Sequence, residues 1–170
     1  AIRQDGVSYD FGIQTGDFVD NTNSYSMWSE IMGAFSEYFG NTDMIQVLGN
    51  HEFYGDNDGS IASTFHMLPD TDWYSVMYGN TYVAVVNYSV TNNVNEMAKI
   101  FAEVAADAKQ SKAVWKVLTL HQPPYYTNSA GGNEYVNQIV PQYVDEGGFD
   151  VVFSGHDHAY ARTKPMKGGI

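Results

Sequence analysis

The residues most able to do chemistry stand in four short clusters: Gly16-Asp17 with Asp20, Gly49-Asn50-His51-Glu52, His121, and Gly155-His156-Asp157-His158. Together they offer carboxylate and amide oxygens with imidazole nitrogens and no sulfur. That donor set suits hard-to-borderline divalent metals. One bridging carboxylate such as Asp17 can hold two cations about 3.5–4 Å apart, the spacing used by two-metal hydrolases. His156 and His158 are two residues apart, so in an extended segment both imidazoles face one side. Gly49 and Gly155 allow tight turns that aim the following side chains at one point. Each residue also has an ordinary reading. Asp17 alone is a turn or cap residue, Asn50 after a glycine is a common turn, and His51 or His121 alone is a hydrogen-bonded histidine. The four clusters occurring together favour a metal site.

The elements that must position these clusters follow from hydrophobic period. Short β-like runs cover Phe11 to Thr15, Met44 to Leu48, Trp73 to Tyr78, Tyr82 to Asn87, Val114 to Leu120 and Val151 to Ser154. Helical spacing links Met27, Trp28, Ile31, Met32, Phe35 and Phe39. It also links Val94, Met97, Ile100, Phe101, Val104 and Ala108, with Asn93 and Glu96 placed as a capping box. A third stripe runs through Val136, Ile139, Val140, Tyr143 and Val144. Pro141 inside it predicts a kink or a restart, and Gly147-Gly148 an end. The order predicts an α/β fold with helices on a largely parallel sheet and a hairpin at Gly79-Asn80. Each chemical cluster follows a strand, at the carboxyl end where open α/β sheets bind ligands. His66 reads as structural, Glu52 as a capping or supporting residue, and Asp56 with Asp58 as a faint hint of a calcium loop.

Composition narrows the function classes. The 170 residues make one domain, and the net charge of −12 repels a nucleic-acid backbone, so no nucleic-acid partner is expected. An acidic chain can still bind phosphate where metal ions reverse the local sign. With no cysteine, thiolate nucleophiles and thiolate metal sites are excluded. No apolar run approaches the roughly 20 residues needed for a membrane span. The Asn-, Thr- and Tyr-rich, Lys-poor composition suits an exported bacterial protein, extracytoplasmic or secreted.

Taken in order, GD-x-x-D, GNHE, a strand ending in His, and GHDH resemble the calcineurin-like metallophosphoesterase family. Within it, GNHEFYG, HQPPYY and GHDHAYAR are most similar to purple acid phosphatases and their bacterial relatives. The resemblance spans Gly16 to Arg162. It implies a layered αββα sandwich and hydrolysis of phosphate mono- or diesters by in-line attack of a metal-bound hydroxide, with two divalent ions (Mn, Zn or Fe) as cofactors. Asp17 would bridge both metals. Asn50, His121 and His156 would complete one site, His158 would ligate the other, and His51 would be the acid to the leaving group. The substrate would be a small-molecule phosphate ester.

Two departures from the family pattern stand out. The family opens with a strand ending in Asp-x-His or Asp-x-Gly, whose Asp ligates the metal assigned to His158. No such motif precedes Gly16. Residues 1–170 therefore read as a single domain lacking its N-terminal strand, a fragment truncated at both ends of a longer chain. At position 20, purple acid phosphatases carry the Tyr that binds ferric iron and gives the colour. Asp20 cannot do so, and stands as a candidate further ligand or a neighbour of the ligands. The competing readings are a catalytically impaired scaffold module that keeps the metal pocket, and a zinc amidohydrolase. The second is opposed by the absence of a His-Glu-x-x-His helix.

Overall fold

A computed structural model describes residues 8–66, 68–69, 71–127 and 133–168, apart from the side chains of Tyr38 and His66. In chain order the elements are β1 (Phe11–Gln14), α1 (Tyr25–Phe39), β2 (Asp43–Gln46), α2 (Ser60–His66), β3 (Trp73–Tyr78), β4 (Thr81–Val86), α3 (Val94–Gln110), β5 (Trp115–Leu120), α4 (Glu134–Gly147) and β6 (Val151–Phe153). Single 3-10 turns occupy His51–Phe53 and Tyr88–Asn92.

Two sheets form among these residues. β1 and β2 pair in parallel, and a second sheet runs β3-β4-β5-β6. In that sheet β3 and β4 are antiparallel across the Gly79-Asn80 turn, whereas β4, β5 and β6 are mutually parallel. Strand β4 shows how the layers stack. Tyr82, Ala84 and Val86 face α3 and α4, packing with Met97, Phe101, Val104, Val136 and Val140. Val83 and Val85 point the other way, onto Ile45, Val47, Phe11 and Ile13 of the first sheet's segments. Both faces of β4 are buried, as the two-residue period of a strand requires in a four-layer stack. A third cluster joins Trp28, Ile31 and Met32 of α1 and Ala62 of α2 to Val19 and Leu48, in the loops that leave β1 and β2. The expected layered sandwich is what forms.

The helix starts are set by side chains. Asn93 Oδ1 accepts the N–H groups of Asn95 and Glu96, and Asn133 Oδ1 those of Tyr135 and Val136. Each bond satisfies donors that the first turn leaves without partners. Glu96 pairs with Lys99 at 3.8 Å rather than closing a reciprocal box. At Pro141 the expected restart does not occur: α4 is one helix from Glu134 to Gly147, with Pro141 inside it. The Asn133 cap and the fully buried Val136 and Val140 hold it before the missing N–H, and Tyr143 and Val144, packed against the same core, hold it after. Gly148, at φ 69°, closes the helix. The Asp56 and Asp58 carboxylates are committed to capping α2, accepting from the N–H groups of Ile61 and Ser60, so the calcium-loop hint is not borne out.

Strands β1, β2, β4 and β6 stop one or two residues sooner than their apolar runs. Beyond Gln14, Gln46 and Phe153 the chain leaves the sheet to form the turns that carry Asp17, Asn50 and His156. Val47 still donates its N–H to the Gln14 carbonyl at 3.0 Å, so β1 and β2 deliver their loops side by side.

Candidate metal centre

His121 lies at the end of β5 and is 1% exposed. Its Nδ1 is 2.7 Å from the Thr15 carbonyl oxygen. A carbonyl only accepts, so Nδ1 carries a hydrogen, which in the neutral tautomer leaves the lone pair at Nε2. That lone pair faces Asp17 Oδ2 at 3.0 Å, Asn50 Oδ1 at 3.0 Å and His156 Nδ1 at 3.1 Å. The ligating atoms of Asp17, His121 and His156 all lie within 4.8 Å of one another. Atoms bound about 2.1 Å from one ion lie about 3.0–3.4 Å apart in octahedral or tetrahedral sets. Two oxygens and two nitrogens with converging lone pairs at these spacings repel each other unless a proton or a metal ion sits among them. The donor set therefore fits a divalent metal.

Two conformational devices bring the donors this close. Among the described residues, only three other than glycine have positive φ: Asp17 at 56°, His156 at 66° and His158 at 49°. Such residues are sparse in the left-handed region and are held there by their surroundings. The strain falls on residues that the sequence assigns to metal. The second device is close backbone approach. A Cβ at Gly16, whose φ is 94°, would meet the His121 ring, and one at Gly49 would meet the Asp17 carboxylate.

A sequence profile of calcineurin-like phosphoesterases matches residues 2–160. The chain belongs to the calcineurin-like phosphoesterase family. It is 23% identical over 184 residues to purple acid phosphatase 17 of Arabidopsis thaliana, covering 89% of this chain and 53% of that protein. Purple acid phosphatase 18 of the same plant is 35% identical over 117 residues, covering 67% of this chain and 25% of its own. Fe(3+)-Zn(2+) purple acid phosphatase 12 is 26% identical over 95 residues, covering 54% and 20%. The chain thus spans about half the length of the first relative and less of the others. Among solved structures, GAP50, the anchor in the inner membrane complex of Plasmodium, superposes with a TM-score of 0.64 at 15% identity. The match covers 86% of this chain and 56% of that one, and it shows a shared fold.

Around this calcineurin-like cluster, the candidate donors are oriented by partners. Asp17 Oδ1 accepts the His51 N–H at 3.0 Å, leaving Oδ2 turned to His121. Burial pushes the Asp17 carboxyl up; where His121 is protonated in place of a bound cation, its hydrogen bond and charge, with the bond from His51, outweigh that and hold it below the ordinary carboxylate value. Asn50 donates Nδ2–H to the Tyr54 hydroxyl at 2.9 Å, which turns Oδ1 toward His121. Burial, and then the charge His121 carries where it is protonated, lower the His156 pKa, favouring the neutral imidazole that metals bind. Glu52, fully buried, receives N–H bonds from Asp17, Phe18, Val19 and Gly49.

His51 and Asp20 form a pair beside the centre. His51 Nδ1 is 2.8 Å from the Asp20 carbonyl and 3.2 Å from its carboxylate, and Nε2 is 3.9 Å from Asp17 Oδ2. The Asp20 side chain is 76% exposed and faces the outer nitrogen of His51, not the Asp17–His121–His156 group. His158 is exposed and stands outside that group of three, close enough for its charge to bear on His156. The segment holding both histidines is a turn after β6 and not an extended strand, so the two-residue spacing does not set a common face. Between them, Asp157 is buried and accepts from the Thr127 N–H and hydroxyl, tying this turn to the loop after β5. His66 ends α2, and its side chain lies outside the described residues, as do residues 128–132 of the loop after Pro123. Two contributors went unread in the sequence. The Thr15 carbonyl has no residue-type signature, and the role of Tyr54 shows only once its hydroxyl meets Asn50.

Proposed function

We propose that this protein hydrolyses small-molecule phosphate mono- or diesters using two divalent cations. Asn50, His121 and His156 would hold one, His158 would hold the other, and Asp17 would serve both. The reading is carried by the His121 Nε2 lone pair, fixed by Thr15 and met by three further donor atoms at 3.0–3.1 Å. Membership of the calcineurin-like phosphoesterase family and the likeness to purple acid phosphatases support it. The oxygen and nitrogen donors suit Mn, Zn or Fe. Bound there, the cations supply positive charge to the phosphoryl oxygens and make a coordinated water acidic.

His51 acts on the leaving group. Its Nδ1 is anchored by the Asp20 carbonyl at 2.8 Å, and the Asp20 carboxylate lies 3.2 Å away. Nε2, on the Asp17 side, delivers a proton to the leaving oxygen. Asp20 serves this pair as a partner of His51. Extracytoplasmic action belongs to the same proposal; no helix among the described residues is long and apolar enough to cross a membrane.

The proposal includes a longer polypeptide, of which this chain is one calcineurin-like domain. A further strand fits the groove of about 360 Å3 lined by Phe11, Ile13, Thr15, Phe153 and Ser154. Among the described residues β1 pairs with β2 alone and β6 with β5 alone, and Phe153 is 46% exposed. A strand there would end beside Thr15 and Ser154, next to the metal centre.

The test is hydrolysis of p-nitrophenyl phosphate and bis-p-nitrophenyl phosphate with Mn, Zn and Fe, by this chain and by a version extended upstream. In whichever version is active, His51→Ala is expected to lower turnover by about 10²–10⁴-fold with metal content unchanged. Loss of the metals instead would show that His51 is a ligand. Metal binding without turnover in both versions would mark a scaffold module of the same fold.

A further inference from the structure

We infer that Glu52 is the positioning residue of the metal centre: its carboxylate, through four backbone N–H bonds, holds the Asp17 loop and the Asn50 loop at the separation a shared cation needs. The inference rests on the metal-centre reading above and adds a residue to it.

Oε2 accepts from Asp17 at 2.8 Å and from Gly49 at 2.7 Å, so one atom joins the loop after β1 to the loop after β2. Oε1 accepts from Phe18 at 2.6 Å and Val19 at 3.3 Å. Three successive N–H groups thus converge on one anion, the arrangement called a nest, which needs backbone angles of mixed hand. Asp17 at φ 56° supplies the left-handed step and Phe18, whose φ is not positive, the other. The left-handed backbone that turns Asp17 into the metal centre is therefore the backbone that binds Glu52. Glu52 itself sits in the 3-10 turn His51–Phe53, directly after Asn50, so any shift of its carboxylate moves both loops. It is 0% exposed, and no water competes for these bonds.

A glutamate needed only to close the local turn would have no reason to reach 33–35 residues back in the chain. Linkage supplies a second consequence. If the Glu52 bonds raise metal affinity by some factor, metal binding must strengthen those bonds by the same factor.

Glu52→Gln keeps the shape but presents one NH2 group to two N–H donors, so the Asp17/Gly49 pair or the Phe18/Val19 pair loses its acceptor. Zn2+ and Mn2+ affinities of the full chain are measured by titration calorimetry, and Tm is recorded separately in chelator. Glu52→Gln is expected to bind metal about 10- to 100-fold more weakly. A folded Glu52→Gln protein with wild-type affinity overturns the inference even if its Tm in chelator falls, because Glu52 would then be structural only. Should the variant not fold, hydrogen exchange on the wild type decides. Zn2+ is expected to slow exchange of the Asp17, Phe18 and Gly49 amides at least tenfold more than that of α3 amides, and equal slowing overturns the inference. A wild-type chain that binds no metal overturns the metal centre and this inference with it; binding unchanged by Glu52→Gln overturns the inference alone.

Discussion

Replacing Tyr54 by Phe removes a single oxygen from the edge of the metal centre. Tyr54 is 49% exposed, and its ring lies 4.6 Å from that of His51, a contact that Phe preserves. What disappears is the acceptor for Asn50 Nδ2–H, at 2.9 Å, which turns the amide oxygen rather than the amide nitrogen toward His121. Asn50 is 6% exposed, so little water replaces the lost partner. One neutral hydrogen bond contributes about 1 kcal/mol net, or about a fivefold bias between the two amide orientations. The variant is therefore expected to bind Zn2+ or Mn2+ about fivefold more weakly by calorimetry, with Tm in chelator within a degree or two of wild type. Unchanged affinity would refute the orienting role. A loss of a hundredfold or more would refute it in the other direction, by making Tyr54 a metal ligand. The iron-loaded protein distinguishes these: with Asp20 where a purple acid phosphatase carries Tyr, no visible charge-transfer band is expected, and a band abolished by Tyr54→Phe would show phenolate on the iron.

Gly49→Ala places a methyl group against the Asp17 carboxylate and the His121 ring. It is expected to abolish metal binding while leaving a folded protein, read by calorimetry alongside far-UV circular dichroism. Tyr74, whose hydroxyl donates to the Gln46 carbonyl and whose pKa burial pushes up to about 12 from 10.0, is one contributor to the alkaline limit of stability, and buried Tyr82, also pushed up, is another. Because the folded value lies above the unfolded one, the Tyr74 contribution is complete below pH 10 and is lost as pH rises from 10 toward 12. Tyr74→Phe is expected to flatten the fall in denaturation midpoint over that window, and an identical fall in both proteins would refute the assignment.

Much of the site was legible in the chain itself, because metal coordination is chemically selective. Asp17, Asn50, His121 and His156 were identifiable as candidate oxygen and nitrogen donors from their types and from the apolar runs before them, and the fold brings those four together. The alternation in β4 and the helical stripe from Met97 to Ala108 likewise encode which faces are buried, since side-chain direction follows directly from strand and helix period. Other features are decided only by contacts between distant segments. The Thr15 carbonyl sets the tautomer of His121 from 106 residues away, and a carbonyl is the same in every residue. Local preference argues against left-handed backbone at Asp17, His156 and His158; the Glu52 bonds are part of what holds Asp17 there, and the left-handed turn after β6 turns His156 inward and leaves His158 exposed. The two-residue spacing of those histidines implied a common face because an extended chain was assumed. Ligand identity is a property of side chains and can be read in order along the sequence, whereas ligand direction depends on backbone angles that tertiary hydrogen bonds impose.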